Sequence, residues 1–369
     1  MRHLLIALLT GLLLAVVLLV GCKSAGIGGP PATLLFAYVA NGAPDNTISA
    51  YSINSTTGAL TPINGSPFPA GGNLPARFAF TPSLNFLYVA TAGGGTFSGF
   101  SINANTGAPT PIPGSPFSSG GNNPVAIAVH PSSKFLYVGN QGSASISVFT
   151  INQNTGAVTA VGSPAGVNFE PNDLAIDPLG KVLYVSTLLG NSGDVEGFSI
   201  DAATGALTSI PGSPFASFLA TAVGIPPSGR FLYVADEAGS IHAFTVSMAG
   251  SVTQINGSPF PAGNEPFSMA LDAQGHFLYA ANFLSANVSA YTVDATTGAL
   301  TTITGSPFPV GTSPDGVAVD ASSKFAYVTN SFDHNVSGFV INAATGALTP
   351  ITGSPFTAGA TPGGVITVP

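Results

Sequence analysis

The residues with the clearest potential for chemistry are one arginine and three carboxylates. Arg77, Glu170, Asp173 and Glu265 interrupt a pattern that the rest of the chain repeats regularly. Hydrolysis requires a base that activates water and a cation that stabilises the oxyanion. Arg77 is the only Lys or Arg beyond residue 23 that breaks the repeat, and each carboxylate is a candidate base. These four residues are therefore the candidate catalytic group.

Other chemistries have little support in the sequence. No histidine pair has metal-ligand spacing, no calcium-binding loop occurs and the chain has 1 Cys, so we expect no metal site. No Gly-x-Ser-x-Gly motif is present, and Gly180-Lys181 is followed by Val182, which excludes a phosphate-binding loop. We expect no cofactor. With 7 Lys+Arg against 15 Asp+Glu, the chain is too acidic to favour nucleic acid as a partner.

The elements that position these residues belong to a repeat of seven units. Most units carry a Thr-Gly-Ala-Leu turn and a Gly-Ser-Pro-Phe turn, and one unit contains four β-like runs at 125–129, 135–139, 145–151 and 157–161. This pattern predicts an all-β, seven-bladed propeller with four-stranded blades. A tyrosine recurs at intervals of 50, 49, 47, 49, 46 and 48 residues, at Tyr38, Tyr88, Tyr137, Tyr184, Tyr233, Tyr279 and Tyr327.

Both chain ends are expected to contribute to one blade. The first unit begins at its second strand, while residues 362–368 align with the innermost strands of the other units. We predict that residues 365–368 pair with the strand that contains residues 35–39. This pairing would close the ring and remove the unpaired edges of the first and last blades.

The repeat resembles seven-bladed propellers of the lactonase (6-phosphogluconolactonase-like) type and the related YVTN-repeat surface proteins. Tyr327-Val328-Thr329-Asn330 spells the YVTN motif, and the resemblance covers residues 34–369. Lactonase-type families place His, Arg and Glu near the channel mouth to hydrolyse or isomerise lactone-like sugar acids. The resemblance therefore implies a site at the channel mouth, although the family's catalytic residues do not map one by one onto this chain. Fold alone does not determine function.

Comparison of the units separates residues that build blades from residues that interrupt them. Repeated positions account for many charges as turn residues: Lys134, Lys181, Arg230, Lys324, Asp177, Asp272, Asp320, Asp201 and Asp294. The remaining unusual residues fall mostly in the loops of one face, where function concentrates on a rigid scaffold. There we predict a ligand-binding site formed by Arg77, Asn172, Asp173 and Asp315, with Glu170 and Glu265 nearby.

The same face carries a second set of unusual residues to which we assign no individual role: Asp45, Asp194, Glu196, Asp236, Glu237, His242, Asn264, Asp333 and His334. Glu196 and His242 occupy equal positions in successive units. Equal register directs them into different gaps between blades, so we do not interpret them as a catalytic pair.

The first 33 residues are predicted to lie outside the propeller. An apolar run from Leu4 to Val20 ends at Leu19-Val20-Gly21-Cys22, which resembles the bacterial lipobox. We expect residues 1–21 to be a signal peptide, Cys22 to carry lipid and residues 22–33 to form a flexible linker. A retained membrane-spanning segment is the alternative. The expected location is the bacterial cell envelope, and Lys23 after the cysteine favours the outer membrane.

Two functions remain open at this point. Only 6% of the residues are charged, against about 25% in average proteins. Regular blades rich in Ser, Thr and Asn favour an anchored surface module that binds carbohydrate or an envelope protein. The alternative is a lactonase that hydrolyses a sugar lactone at the channel mouth. We expect a monomer in either case.

Overall fold

Seven antiparallel sheets form the blades of a propeller in the computed structural model, which describes residues 35–368. The predicted seven-bladed all-β architecture is confirmed. The predictions for the signal peptide, Cys22 and the linker concern residues outside this range. Among residues 35–368, no helix has the length and apolar character needed to cross a membrane.

Within each blade the strands run from the central axis outward. The innermost strands are β34 (Pro362–Val368), β5 (Pro75–Phe80), β10 (Pro124–Val129), β15 (Pro171–Ile176), β19 (Ala220–Gly224), β24 (Pro266–Leu271) and β29 (Pro314–Val319). The second strands are β1 (Leu35–Asn41), β6 (Phe86–Thr91), β11 (Phe135–Asn140), β16 (Val182–Leu189), β20 (Phe231–Asp236), β25 (Phe277–Asn282) and β30 (Phe325–Asn330).

The outer half of each blade contains the third strand and shorter strands beyond it. The third strands are β2 (Thr47–Ile53), β7 (Thr96–Ile102), β12 (Ser145–Ile151), β17 (Ser192–Ile200), β21 (Ser240–Val246), β26 (Asn287–Val293) and β31 (Asn335–Ile341). The fourth strands are β3 (Leu60–Pro62), β8 (Pro109–Pro111), β13 (Val158–Ala160), β18 (Leu207–Ser209), β22 (Val252–Gln254), β27 (Leu300–Thr302) and β32 (Leu348–Pro350). Two-residue strands follow as β4 (Phe68–Pro69), β9 (Phe117–Ser118), β14 (Ala165–Gly166), β23 (Phe260–Pro261), β28 (Phe308–Pro309) and β33 (Phe356–Thr357).

The outer edge differs from the predicted four-stranded blade. In six blades a two-residue strand pairs with the third strand beside the fourth, and the blade of β15–β18 has instead a single bridge between Val195 and Ala216. The Gly-Ser-Pro-Phe turn divides the edge into these two pieces. Between the two pieces, the serine hydroxyl of this turn accepts a hydrogen bond from the third strand in place of a backbone carbonyl. Ser66 Oγ, for example, accepts the backbone N–H of Ala50 at 2.9 Å.

The ring closes as the sequence predicts. Strand β34 pairs antiparallel with β1, in the register Phe36 with Val368, Tyr38 with Ile366 and Val39 with Val365. One blade therefore contains strands from both ends of the described chain.

The core is divided into seven hydrophobic clusters, each lying between two neighbouring blades. Every repeated tyrosine is fully buried at one of these interfaces. Its hydroxyl donates to a glycine carbonyl in the next blade: Tyr38 to Gly107, Tyr88 to Gly156, Tyr137 to Gly205, Tyr184 to Gly250, Tyr233 to Gly298, Tyr279 to Gly346 and Tyr327 to Gly58. The tyrosine that reveals the repeat in the sequence is thus an inter-blade hydrogen-bond donor.

Replacing one of these tyrosines is expected to destabilise the propeller without changing its packing volume. Tyr88 Oη lies 2.7 Å from the carbonyl oxygen of Gly156, and burial raises the pKa of Tyr88, which keeps the hydroxyl protonated. Tyr88→Phe leaves that buried carbonyl unpaired and should lower the free energy of unfolding by about 1–3 kcal/mol. Urea denaturation measures the change. Thr61→Val, which removes a hydroxyl at the exposed outer edge, is the control. Equal effects of the two substitutions would contradict the prediction.

Candidate active site

The mouth of the central channel receives one residue from each blade. In every blade the pairing of the innermost strand with the second strand shifts near its start, which is a β-bulge. Bulges redirect side chains and are frequent beside active sites. The residue that follows the first residue of each innermost strand lines a cavity of about 360 Å³: Ala76, Val125, Asn172, Thr221, Phe267, Asp315 and Gly363.

An ion pair lies in this cavity. Arg77 Nη1 is 3.0 Å from Asp315 Oδ1, and each side chain is 23% exposed. The Arg77 guanidinium carbon also lies 5.5 Å from the centre of the Phe267 ring. The pair joins two blades across β34, where Gly363 carries no side chain, and a Cβ there would lie 3.8 Å from Asp315 Oδ1. The two residues that sequence comparison selected from distant units are therefore in direct contact.

The charge of a second carboxylate, Asp173, also acts on Arg77. Burial raises the pKa of Asp173, while the charge of Arg77 and the N–H groups of Val223 and Leu174 oppose this rise. Those two N–H groups lie 3.1 Å and 3.0 Å from its carboxylate oxygens. Burial by itself would lower the pKa of Arg77, but Asp315 and Asp173 outweigh it and raise that pKa above its ordinary value. Arg77 thus remains charged, paired with Asp315 and acted on by the charge of Asp173.

A chain of amides completes the polar part of the mouth. Asn123 Nδ2 donates to Gln141 Oε1 at 2.6 Å, and Gln141 Nε2 donates to Asn172 Oδ1 at 3.2 Å. Thr221 is buried, and its hydroxyl donates to the carbonyl of Pro266. These polar groups already have protein partners. Arg77 and Asp315 are the charged side chains that line the cavity.

The remaining candidates lie close to the mouth but do not line the cavity. Glu170 and Glu265 each precede an innermost strand, and their backbone carbonyls accept N–H groups from the ends of neighbouring strands. Burial, and then the charge of Glu237, raise the pKa of Glu265. The other four candidates were predicted in loops, whereas Arg77, Asn172, Asp173 and Asp315 occupy the first residues of β5, β15 and β29. The bulge explains the difference, because it directs strand residues into the channel.

Most other unusual residues of this face bind backbone groups. Asp45 and Asp333 each accept an N–H at 2.7 Å, from Ala360 and Thr312 respectively. His334 Nδ1 accepts the N–H of Thr361 at 2.9 Å. These contacts order the loops that enter the innermost strands.

Glu196 and His242 have separate partners, which agrees with the interpretation that they are not a catalytic pair. Glu196 accepts the N–H of Asn168 at 2.7 Å. His242 Nε2 lies 3.2 Å from Asp236 Oδ2, and its ring stacks on Phe218 at 3.8 Å. Within residues 35–368, no group of three or more His, Cys, Asp or Glu residues is arranged to hold a metal ion.

The two faces of the propeller differ strongly in charge. We call the face at the channel mouth the mouth face; in residues 35–368, Arg77 is its only Lys or Arg. The opposite face carries Lys134, Lys181, Arg230 and Lys324 with five carboxylates. The mouth face carries ten carboxylates: Asp45, Glu170, Asp173, Asp194, Glu196, Asp236, Glu237, Glu265, Asp315 and Asp333.

Sequence comparison missed three residues that shape the cavity. Phe267 and Thr221 occupy the bulged position but look like ordinary strand residues. Gln141 follows the second strand, at a position where the other units carry Gly42, Ala92, Leu188, Glu237, Phe283 and Ser331. Variation at this position, in an otherwise regular repeat, is the signal that would have identified Gln141.

Comparisons with known proteins agree with this geometry. The sequence matches the profile of the family "Lactonase, 7-bladed beta-propeller" over residues 34–117, 110–218 and 209–313. The chain therefore belongs to the lactonase family of seven-bladed β-propellers. No curated protein sequence gave a significant match.

Solved structures with the same fold have low sequence identity. A candidate 6-phosphogluconolactonase from Bacteroides fragilis is 21% identical with a TM-score of 0.76, covering 93% of this chain and 100% of that chain. A periplasmic gluconolactonase from Pseudomonas aeruginosa is 18% identical with a TM-score of 0.74, covering 91% and 99% respectively. At these identities the similarity establishes the fold.

Proposed function

We propose that this protein is a lactone hydrolase that acts on a sugar lactone at the channel mouth. The observation that carries the proposal is the partly exposed Arg77–Asp315 pair inside a cavity large enough for a small ligand. Family membership and the named structural relatives support this alternative better than the surface-binding module that the sequence favoured.

In the proposed reaction Asp315 is the general base and Arg77 stabilises the oxyanion. The Asp315 carboxylate takes a proton from water as the water oxygen attacks the lactone carbonyl carbon. An Arg77 N–H donates to the carbonyl oxygen as it gains negative charge. The ring C–O bond then breaks, and the ring oxygen takes the proton to become a hydroxyl. Phe267 offers an apolar surface to the ligand.

A substrate screen with the full chain tests the function. Release of acid from aldonolactones and aryl esters is followed in a pH-stat, with uncatalysed hydrolysis as the baseline. We expect catalysed opening of at least one aldonolactone. Binding of a sugar or an envelope protein without any turnover across the panel would restore the binding-module interpretation.

We also propose that the chain is exported and anchored through lipid on Cys22. The apolar run and the lipobox-like Leu19–Cys22 segment support this proposal. Mass spectrometry of the membrane fraction should find Cys22 as a lipid-bearing amino terminus. An intact Met1, or a free thiol on Cys22, would refute it.

A further inference from the structure

We infer that the channel mouth selects an uncharged lactone and electrostatically expels the anionic product of its hydrolysis. This inference rests on the proposed function and adds the substrate class. Three features carry it: the ion pair between Arg77 and Asp315, the location of the other cations and the charge of the mouth face.

Arg77 is a weak site for a further anionic substituent, because its Nη1 already pairs with Asp315. Its guanidinium is 3.0 Å from Asp315 and is also under the influence of the Asp173 charge. Arg77 and Asp315, the two charged side chains that line the cavity, offset one another. An arginine that recognises phosphate normally uses its paired N–H donors for the phosphate oxygens. Here the nearest acceptor is already a carboxylate of the protein.

No second cation in the described chain can assist Arg77. Lys134, Lys181, Arg230 and Lys324 precede second strands, so they lie at the face opposite the mouth. The mouth face instead holds ten carboxylates in residues 35–368, of which Asp194, Glu196 and Asp236 are buried. Charge of one sign on the surface around a cleft repels ligands of that sign and lowers their rate of association. A lactone that bears a phosphate would encounter this repulsion, whereas an uncharged lactone would not.

The same field acts on the product. Water adds to the lactone carbonyl, the ring C–O bond breaks, and the resulting hydroxy acid releases one proton to solvent at neutral pH. A neutral molecule thus becomes an anion inside an acidic mouth. Repulsion should favour its departure and make product inhibition weak. Screening by salt should weaken this effect, since the Debye length falls from about 30 Å at 0.01 M to about 10 Å at 0.1 M ionic strength.

Steady-state kinetics at two ionic strengths test the inference. The substrates are glucono-δ-lactone and its 6-phosphate, and gluconate is the product inhibitor. At low salt we expect kcat/KM for the phosphorylated lactone to be lower by about tenfold or more, and the difference to shrink as NaCl is added. The neutral substrate should change less than about twofold, and gluconate should inhibit more strongly as salt rises.

A pair of charge-reversal variants locates the effect. Glu237 lies in the mouth-face loop after β20, near Glu265, and Glu237→Lys should raise kcat/KM for the phosphorylated lactone several-fold without affecting the neutral one. Lys134→Glu makes an equal and opposite change at the other face and should alter neither substrate. Equal use of the two lactones, or a salt-independent ratio, would overturn the inference. Failure to hydrolyse either lactone would instead count against the proposed function.

Discussion

Replacing Arg77 by methionine is expected to reduce kcat for lactone hydrolysis by about 10²–10³-fold, the usual effect of losing one preorganised oxyanion donor. The guanidinium lies in the cavity, 3.0 Å from Asp315 and 5.5 Å from the centre of the Phe267 ring. Methionine retains the apolar stem and removes the charge. Asp315→Asn, which keeps the shape of the side chain but removes the base, should lower kcat by about 10²–10⁴-fold.

Arg230 supplies a matched control for this experiment. It lies on the opposite face, and its guanidinium carbon is 5.4 Å from the centre of the Phe231 ring, nearly the geometry of Arg77 over Phe267. Arg230→Met should therefore leave kcat unchanged. Thermal unfolding of each variant separates loss of chemistry from loss of fold. A folded Arg77→Met protein that retains activity within about twofold would place the reaction elsewhere, since oxyanion donors contribute far more than this.

Deleting residues 362–369 is expected to remove a large part of the stability of the propeller, because this segment contains the innermost strand of a blade. Strand β34 pairs with β1, and Val368 is buried in the cluster between the first two blades. Its loss leaves β1 with an unpaired edge and exposes two apolar interfaces. The expected cost is several kcal/mol, against the ~5–15 kcal/mol typical of a whole domain.

The melting temperature of the truncated protein measures this cost. A decrease of only a degree or two would show that β34 does not hold the ring closed. Because the truncated chain can fail to accumulate, Val368→Ala provides a second measurement. It removes two buried methyl groups from the same cluster and should cost about 1–2 kcal/mol. A substitution without effect would contradict the packing of this strand.

The fold was predictable because its repeated residues make repeated contacts. The tyrosine recurs at a regular spacing because each one donates a hydrogen bond to the next blade. The first unit lacks an innermost strand, so that strand has to come from the other end of the chain. The division of the outer edge into two short strands was harder to predict from the sequence. Its two-residue strands depend on the serine hydroxyl that replaces a backbone acceptor, as Ser66 does for Ala50.

The site was only partly predictable, for a reason that lies in the bulge. Arg77, Asn172 and Asp315 were recognised because they interrupt the repeat, although they were assigned to loops and not to strands. Phe267 and Thr221 were not, since the bulge that directs them into the channel is set by pairing with the second strand. A single strand carries no local signal for that shift in register. Arg77 and Asp315 were thus identifiable as site residues, although Asp315 was predicted to bind ligand and was not among the candidate bases, and the apolar wall beside them was not identified.

The blade built from both chain ends also determines which face of the propeller is turned toward a support to which the protein is attached. Strand β1 begins, and β34 ends, at the face opposite the channel mouth, where Phe36 pairs with Val368. A support linked directly to Leu35 or Val368 therefore meets the propeller at the face opposite the mouth, and the mouth opens toward the solvent. Immobilisation on a bead through a carboxyl-terminal tag, next to Val368, should preserve substrate access. Coupling through a cysteine introduced in a mouth-face loop by Leu284→Cys should obstruct it.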